Sequence, residues 1–297
     1  MTNQELHLGL EQDHEGVTTL TLMPNPSNER GGVVVLDEWL LDQIGLAFDH
    51  IESGPAPTGF ILASGSPRVF IAGADLAEIE GKDDVELMRY LEKGARAYMR
   101  ITKLDCPSVA VIGGSALGGG LEIAMHCDGM IGVETPEGGK PYLIGLPEAG
   151  LGLCPGWGGT QMLPARIPAI DAIRATAMGR PWKSTELPSE LFDMVVTDRA
   201  LLSEAARTWL REHPRHRRWD TPRCIDDMSQ DVLEVAVDAL VNELPDNEAA
   251  QAVLECVRAG MKDGFMTAIE CERRLLVSIR HTPEARERLE AFFARQA

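Results

Sequence analysis

Four short apolar runs, rich in β-formers and separated by stretches of helical periodicity, limit what this chain can fold into more than any other feature of its 297 residues. Gly16 to Leu22 partly alternates and stops at Pro24 and Pro26, while Phe60 to Ala63, Ser108 to Ile112 and Met130 to Val133 are nearly continuous apolar strands. Between the first two, Leu40, Ile44, Phe48 and Ile51 recur every three or four residues behind Asp37, a natural N-cap. Val85, Met88, Ala95 and Met99 mark a second, longer helix, and the glycine-rich stretch from Gly113 to Gly120 reads as a turn feeding a helix from Leu121 to Cys127. Alternation of this kind predicts an α/β core. Val33-Val34-Val35-Leu36 is a further strand-sized run.

After about Ala200 the strand signals stop, and Ser203 to Glu212, Asp231 to Glu243, Glu248 to Gly260 and Phe265 to Arg280 are helical in period. The expected division is therefore 1–200 as the core carrying the site and 201–297 as a helical region. Leu275, Leu276, Val277 and Ile279 lie close together there, more apolar surface than one chain is expected to bury, which predicts oligomerisation through this region.

Charge narrows the function. Lys and Arg number 28 against 46 Asp and Glu, a net −18, so binding to nucleic acid or polybasic attachment to a membrane is not expected. No run approaches the roughly 18 apolar residues of a membrane span. Met1 to Glu15 has neither a basic nor an apolar signal region, so no secretory signal is expected. The six cysteines, at 106, 127, 154, 224, 256 and 271, form no CxxC pair and point to reduced thiols in a cytoplasmic protein. His126, Cys127 and Asp128 are contiguous on a predicted helix and face different ways, so no metal site is expected.

Three stretches combine glycines with carboxylates: Arg68 to Leu76, containing Ala72-Gly73-Ala74-Asp75; Gly113 to Glu122, containing Gly118-Gly119-Gly120; and Gly145 to Thr160, containing Glu148 and Pro155-Gly156-Trp157-Gly158-Gly159. A strand that ends in glycines and starts a helix exposes free backbone N–H groups, which favour negative charge. The triple glycine fits neither GxGxxG nor GxxxxGK[ST], and Leu117 rules out a GxSxG elbow. Taken singly, Glu122 reads as a partner of the helix dipole and Glu148 as a solvated loop acid.

Together, in this order, the three stretches resemble the crotonase family, the enoyl-CoA hydratase/isomerase superfamily. The resemblance runs from the strand near Val17 to Thr282-Pro283-Glu284-Ala285 and Ala291-Phe292-Phe293, and is strongest from Arg68 to Gly159. It looks closest to enoyl-CoA hydratases, including the hydratase part of bacterial fatty-oxidation multifunctional proteins, with no dehydrogenase part expected here. The resemblance implies a spiral of stacked ββα units with a helical C-terminal region that assembles as a homotrimer or homohexamer. It implies that Ala74 and Gly119 supply backbone N–H groups to an oxyanion hole for the acyl-CoA thioester oxygen, and that Glu122 and Glu148 are the two catalytic acids acting on one water. Ala72 and Asp75 would bind the CoA substrate, Ala72 through its backbone, and Gly156 would help to hold the water. Trp157 would border the acyl pocket or pack in the core.

The implied activity is hydration of a 2-enoyl-CoA to a 3-hydroxyacyl-CoA without metal or redox cofactor, coenzyme A being part of the substrate. Enoyl-CoA isomerisation, acyl-CoA hydrolysis or a catalytically silent acyl-CoA-binding role are the alternatives, and retention of both acids favours hydration. Three segments depart from the family pattern: Met23-Pro24-Asn25-Pro26-Ser27-Asn28, a longer loop from Glu134 to Ile144, and an enlarged segment from Trp209 to Pro222. Arg211, Arg215, Arg217, Arg218 and Arg223 in or beside the last form a basic cluster, read as a solvated loop or as a contact for CoA phosphates or a neighbouring subunit. A β-branched residue at Gly119 is expected to cost turnover far more than stability.

Overall fold

A computed structural model of the chain describes residues 5–27, 32–214 and 221–295. Asn28, and Arg215, Arg217 and Arg218 of the basic cluster, lie outside the described residues.

Two sheets form the core. The first takes β1 (Gly9–Gln12), β2 (Val17–Leu22), β3 (Gly59–Ser64), β5 (Ser108–Ile112), β7 (Gly129–Val133) and β10 (Met194–Val196) side by side, parallel except for β1 against β2. The second takes β4 (Val69–Ile71), β6 (Ser115–Leu117) and β8 (Leu143–Gly145) in parallel, with β9 (Trp182–Lys183) antiparallel at the edge. Each turn of the chain therefore gives one strand to each sheet and then a helix. β3 and β4 precede α2 (Leu76–Gly81) and α3 (Asp84–Thr102); β5 and β6 precede α4 (Gly119–Met125); β7 and β8 precede α5 (Gly159–Met162). This is the ββα spiral expected above.

Four strands of the first sheet, β2, β3, β5 and β7, and the helices α1, α3 and α4 lie close to where the apolar pattern predicts them, while β1 and β10 are not predicted. Asp37 caps α1 (Glu38–Ser53) by accepting the Leu40 N–H at 2.8 Å. Two expectations need correction. Gly113 to Gly120 is not one turn: β6 lies inside it, three residues with Ala116 fully buried, too short to register as a period. Val33 to Leu36 joins neither sheet; it runs extended beside 72–75, with the Ala72 N–H on the Val34 carbonyl and a parallel bridge from Leu36 to Ala74.

Beyond α6 (Ala169–Ala177) and β10 come α7 (Leu202–Glu212), α8 (Gln230–Leu240), α9 (Glu248–Asp263), α10 (Phe265–Ile279) and α11 (Pro283–Ala294), one helix more than the periodicity predicts. α7 packs on the first sheet, its Leu202, Ala206, Trp209 and Leu210 covering Ile61, Val109, Val111 and Ile131. α8, α9 and α10 join the larger core cluster, and α11 lies against the Glu148–Leu151 turn. Leu275, Leu276 and Ile279 are buried within the single chain, because α10 lies against α9 and α3, so this cluster requires no partner surface. Among the described residues no helix is long and apolar enough to cross a membrane.

Candidate active site

Residues of all three glycine-and-carboxylate stretches meet at one cavity of about 870 Å³. Its wall includes Ala72, Ala74, Gly119, Glu122, Glu148 and Gly156. The bridge at Leu36 sets the first donor. Leu36 donates to the Gly73 carbonyl and accepts from the Asp75 N–H, each at 2.9 Å. In such a parallel pair the bridging residue bonds to both neighbours of its partner, which leaves the N–H of Ala74 facing away from Leu36. Gly119 supplies a second donor as the first residue of α4, whose leading N–H groups have no acceptor within the helix. Gly118 before it has φ +53°, open to glycine, and donates to the Gly145 carbonyl at 2.9 Å. A Cβ on Gly118 would lie 2.7 Å from Glu148 Oε1.

The space at Gly119 corrects one expectation. A Cβ there would lie 2.3 Å from Cζ3 of Trp157 and 2.7 Å from Cδ1 of Leu36, both buried. Any side chain at 119 therefore costs stability, because the glycine is where the core closes over the loop.

Glu122 is 1% exposed on α4. Its Oε1 accepts the backbone N–H groups of Trp157 and Gly159, each at 2.8 Å, while its Oε2 is sealed and has no partner. Glu148 opens a short 3-10 turn, Glu148–Leu151; the residue is half-buried, yet its Oε2 is likewise sealed and unpartnered. Burial, then the charges of Glu272 and Glu148, hold Glu122 well above the usual carboxylate range. Burial first, with the charge of Glu272 added, pushes Glu148 up to about 8. Both acids are therefore held toward their protonated forms in one cavity, the setting that acid–base chemistry needs.

The remaining predicted residues fall around this pair. Asp75 lines the cavity, but its carboxylate is turned into the chain, where it caps α2 through the N–H groups of Ala77 at 3.0 Å and Glu78 at 3.4 Å. Trp157 satisfies both of its readings. It borders the cavity, yet its ring is 2% exposed, donates Nε1–H to the Leu91 carbonyl at 2.8 Å and sits edge-on to Tyr90. His126 is buried, donates from Nδ1 to the Glu122 carbonyl at 2.8 Å, and is driven down to about 4 by burial, so it stays neutral. Among the described residues no group of His, Cys, Asp and Glu is arranged to hold a metal ion. Arg211 of the basic cluster pairs with Glu204 at the surface.

Two features were not anticipated. Glu272 of α10, fully buried, accepts the N–H of Gly158 at 2.6 Å and, at its other oxygen, the N–H and hydroxyl of Thr160 at 2.9 and 2.6 Å. The signal for it was an acid on the apolar face of a helix, between Ala268 and Leu275. The second is α11, which supplies Phe292 and Phe293 to the cavity wall while Arg288 donates to the Ala149 carbonyl at 2.6 Å.

Comparison with known proteins agrees with this architecture. A family model described as enoyl-CoA hydratase/isomerase matches residues 15–220. The fatty acid oxidation complex subunit alpha of Idiomarina loihiensis is 29% identical over 98% of this chain, which spans only 41% of that protein. Among solved structures, an enoyl-CoA hydratase from Bacillus anthracis superposes with a TM-score of 0.60 at 24% identity, covering 97% of this chain and 96% of its own. Human mitochondrial delta3-delta2-enoyl-CoA isomerase does so with a TM-score of 0.66 at 21% identity, covering 97% of each. At these identities the two structures speak to the fold alone.

Proposed function

Since the chain belongs to the enoyl-CoA hydratase/isomerase family, we propose that it adds water across the 2,3 double bond of an enoyl-CoA to give a 3-hydroxyacyl-CoA. The observation that carries this reading is the pair of sealed, unpartnered Oε2 atoms of Glu122 and Glu148 in a cavity that also receives the backbone at Ala74 and Gly119. The thioester oxygen sits between the N–H groups of Ala74 and Gly119. A water lies between the two glutamates. The ionised glutamate takes a proton from the water as its oxygen bonds to C3, and the electrons of the double bond move onto the thioester oxygen as an enolate. The two donors stabilise that charge where it develops, worth roughly 3–4 kcal/mol each. The protonated glutamate then gives its proton to C2. Water and the acyl-CoA balance the reaction, so it requires no metal or redox cofactor.

The backbone at Ala72 and Gly156 contacts the substrate and the water in this reading, and Asp75 keeps the Ala74 loop in place through its cap. All six cysteines are buried and none forms a disulfide, which supports the expectation of a reducing, cytoplasmic setting. The test is hydration of crotonyl-CoA, followed by loss of the conjugated thioester absorbance. Glu122→Gln and Glu148→Gln should each lower turnover by roughly 10² or more while CoA binding persists. Both variants hydrating crotonyl-CoA near the wild-type rate would overturn the assignment. Conversion of a 3-enoyl-CoA to its 2-enoyl isomer with no hydration would replace it with the isomerase reading.

A further inference from the structure

Four consecutive backbone N–H groups, from Trp157 to Thr160, are divided alternately between two buried glutamates. Glu122 takes those of Trp157 and Gly159, and Glu272 takes those of Gly158 and Thr160. The alternation is possible because Gly158 has φ +99°. Glu272 does not line the cavity, so it does not meet substrate. We propose that Glu272 is a positioning residue for water addition, holding the 157–160 loop from behind so that Glu122 is clamped by one oxygen and presents the other to the cavity; this rests on the hydratase reading above.

The anchoring runs deep. The Thr160 hydroxyl donates to Glu272 and accepts from Gln161 Nε2 at 2.6 Å, and the same Nε2 reaches the Cys256 carbonyl at 3.0 Å. Cys154 donates its thiol to the Glu272 carbonyl at 3.5 Å. Every polar contact of the Glu272 carboxylate is a donor, so the site is built for an acceptor with two oxygens. A carboxamide has only one, and its NH₂ must face either Gly158 or Thr160. The peptides then turn, and the N–H groups of Trp157 and Gly159 lose their aim at Glu122. The charged and titrating groups around Glu272 are Glu122, Glu148, Cys154, Cys256 and Arg273. Removing its negative charge makes Glu122 easier to ionise, while loss of the Trp157 and Gly159 donors makes it harder.

The experiment compares wild type, Glu272→Gln and Thr160→Val in crotonyl-CoA hydration across pH, with circular dichroism to establish folding. Glu272→Gln should lower kcat at least tenfold, leave KM within about twofold, and shift the kcat profile along the pH axis. Thr160→Val, which keeps both backbone bonds, should lower kcat about threefold with KM unchanged, and it carries the test if Glu272→Gln does not fold. A folded Glu272→Gln with wild-type kcat and an unshifted profile overturns the proposal. So does a rise in KM that matches the fall in kcat, or, should the first variant not fold, wild-type kcat in Thr160→Val. A wild-type chain that hydrates no enoyl-CoA fails the hydratase reading itself, and the proposal falls with it.

Discussion

Tyr90 donates its hydroxyl to the carbonyl of Leu36 at 2.7 Å, and that same carbonyl accepts the N–H of Asp75 at 2.9 Å. The loop that carries Ala74 is thus fixed from outside by a buried phenol on α3. Tyr90→Phe removes one of two donors and leaves the carbonyl still bonded, so the stability loss should be about 1 kcal/mol. Turnover should fall about three- to tenfold, because the Ala74 N–H is held less firmly. Steady-state kinetics with parallel thermal unfolding checks both; unchanged turnover would separate the phenol from the loop's function.

Glu148 gives stability a pH dependence with a definite sign. Burial holds its carboxyl up to about 8 in the folded chain against an ordinary value of 4.5. Below the lower value both states are protonated and the contribution is fully present. Between the two values the unfolded chain ionises first, so stability falls as pH rises through this window. Glu148→Gln removes this pH dependence. The variant should gain stability relative to wild type at pH 8 compared with pH 5, measured by urea unfolding at both. Equal differences at the two pH values would contradict the raised carboxyl.

Gly119→Ala should lower both stability and turnover. Its new methyl meets the Trp157 ring and Leu36, an overpacking worth roughly 1–3 kcal/mol. Ala74→Ser keeps the N–H and should be mild in turnover. A stable, fully active Gly119→Ala would mean that neither the packing nor the donor at 119 matters.

Assembly is expected through the helical last third, as a trimer or hexamer. The buried residues of α10 do not carry this expectation, but Val232 and Val235 of α8 do, at 52% and 69% exposure on one face. Light scattering at micromolar concentration should return a multiple of the 32.4 kDa chain mass. A monomer would leave this face without a partner.

The sequence makes four strands of the first sheet legible because they are apolar runs: β5 is buried at all five positions, and nothing but a strand or buried helix reads that way; β1, partly exposed, and β10, three residues long, are not legible. The second sheet is not legible. Its strands have two or three residues each, and two of them lie within or against glycine-rich stretches that read as turns. Glu122 and Glu148 were found through the order of three motifs; neither acid alone differs from a helix-dipole partner or a loop acid. Glu272 escaped because its role depends on a contact spanning more than a hundred residues, which no local spacing encodes. The same holds for Gly119, whose need for glycine comes from Trp157 as much as from a turn.

Helix α11 couples two properties that are usually treated separately. It walls the cavity with Phe292 and Phe293, and through Arg288 on the Ala149 carbonyl it braces the turn that carries Glu148. Selectivity and chemistry thereby share one lever. Under the proposed function, a variant chosen to admit a bulkier acyl chain by shifting α11 would drag the Glu148 carboxyl along with the wall.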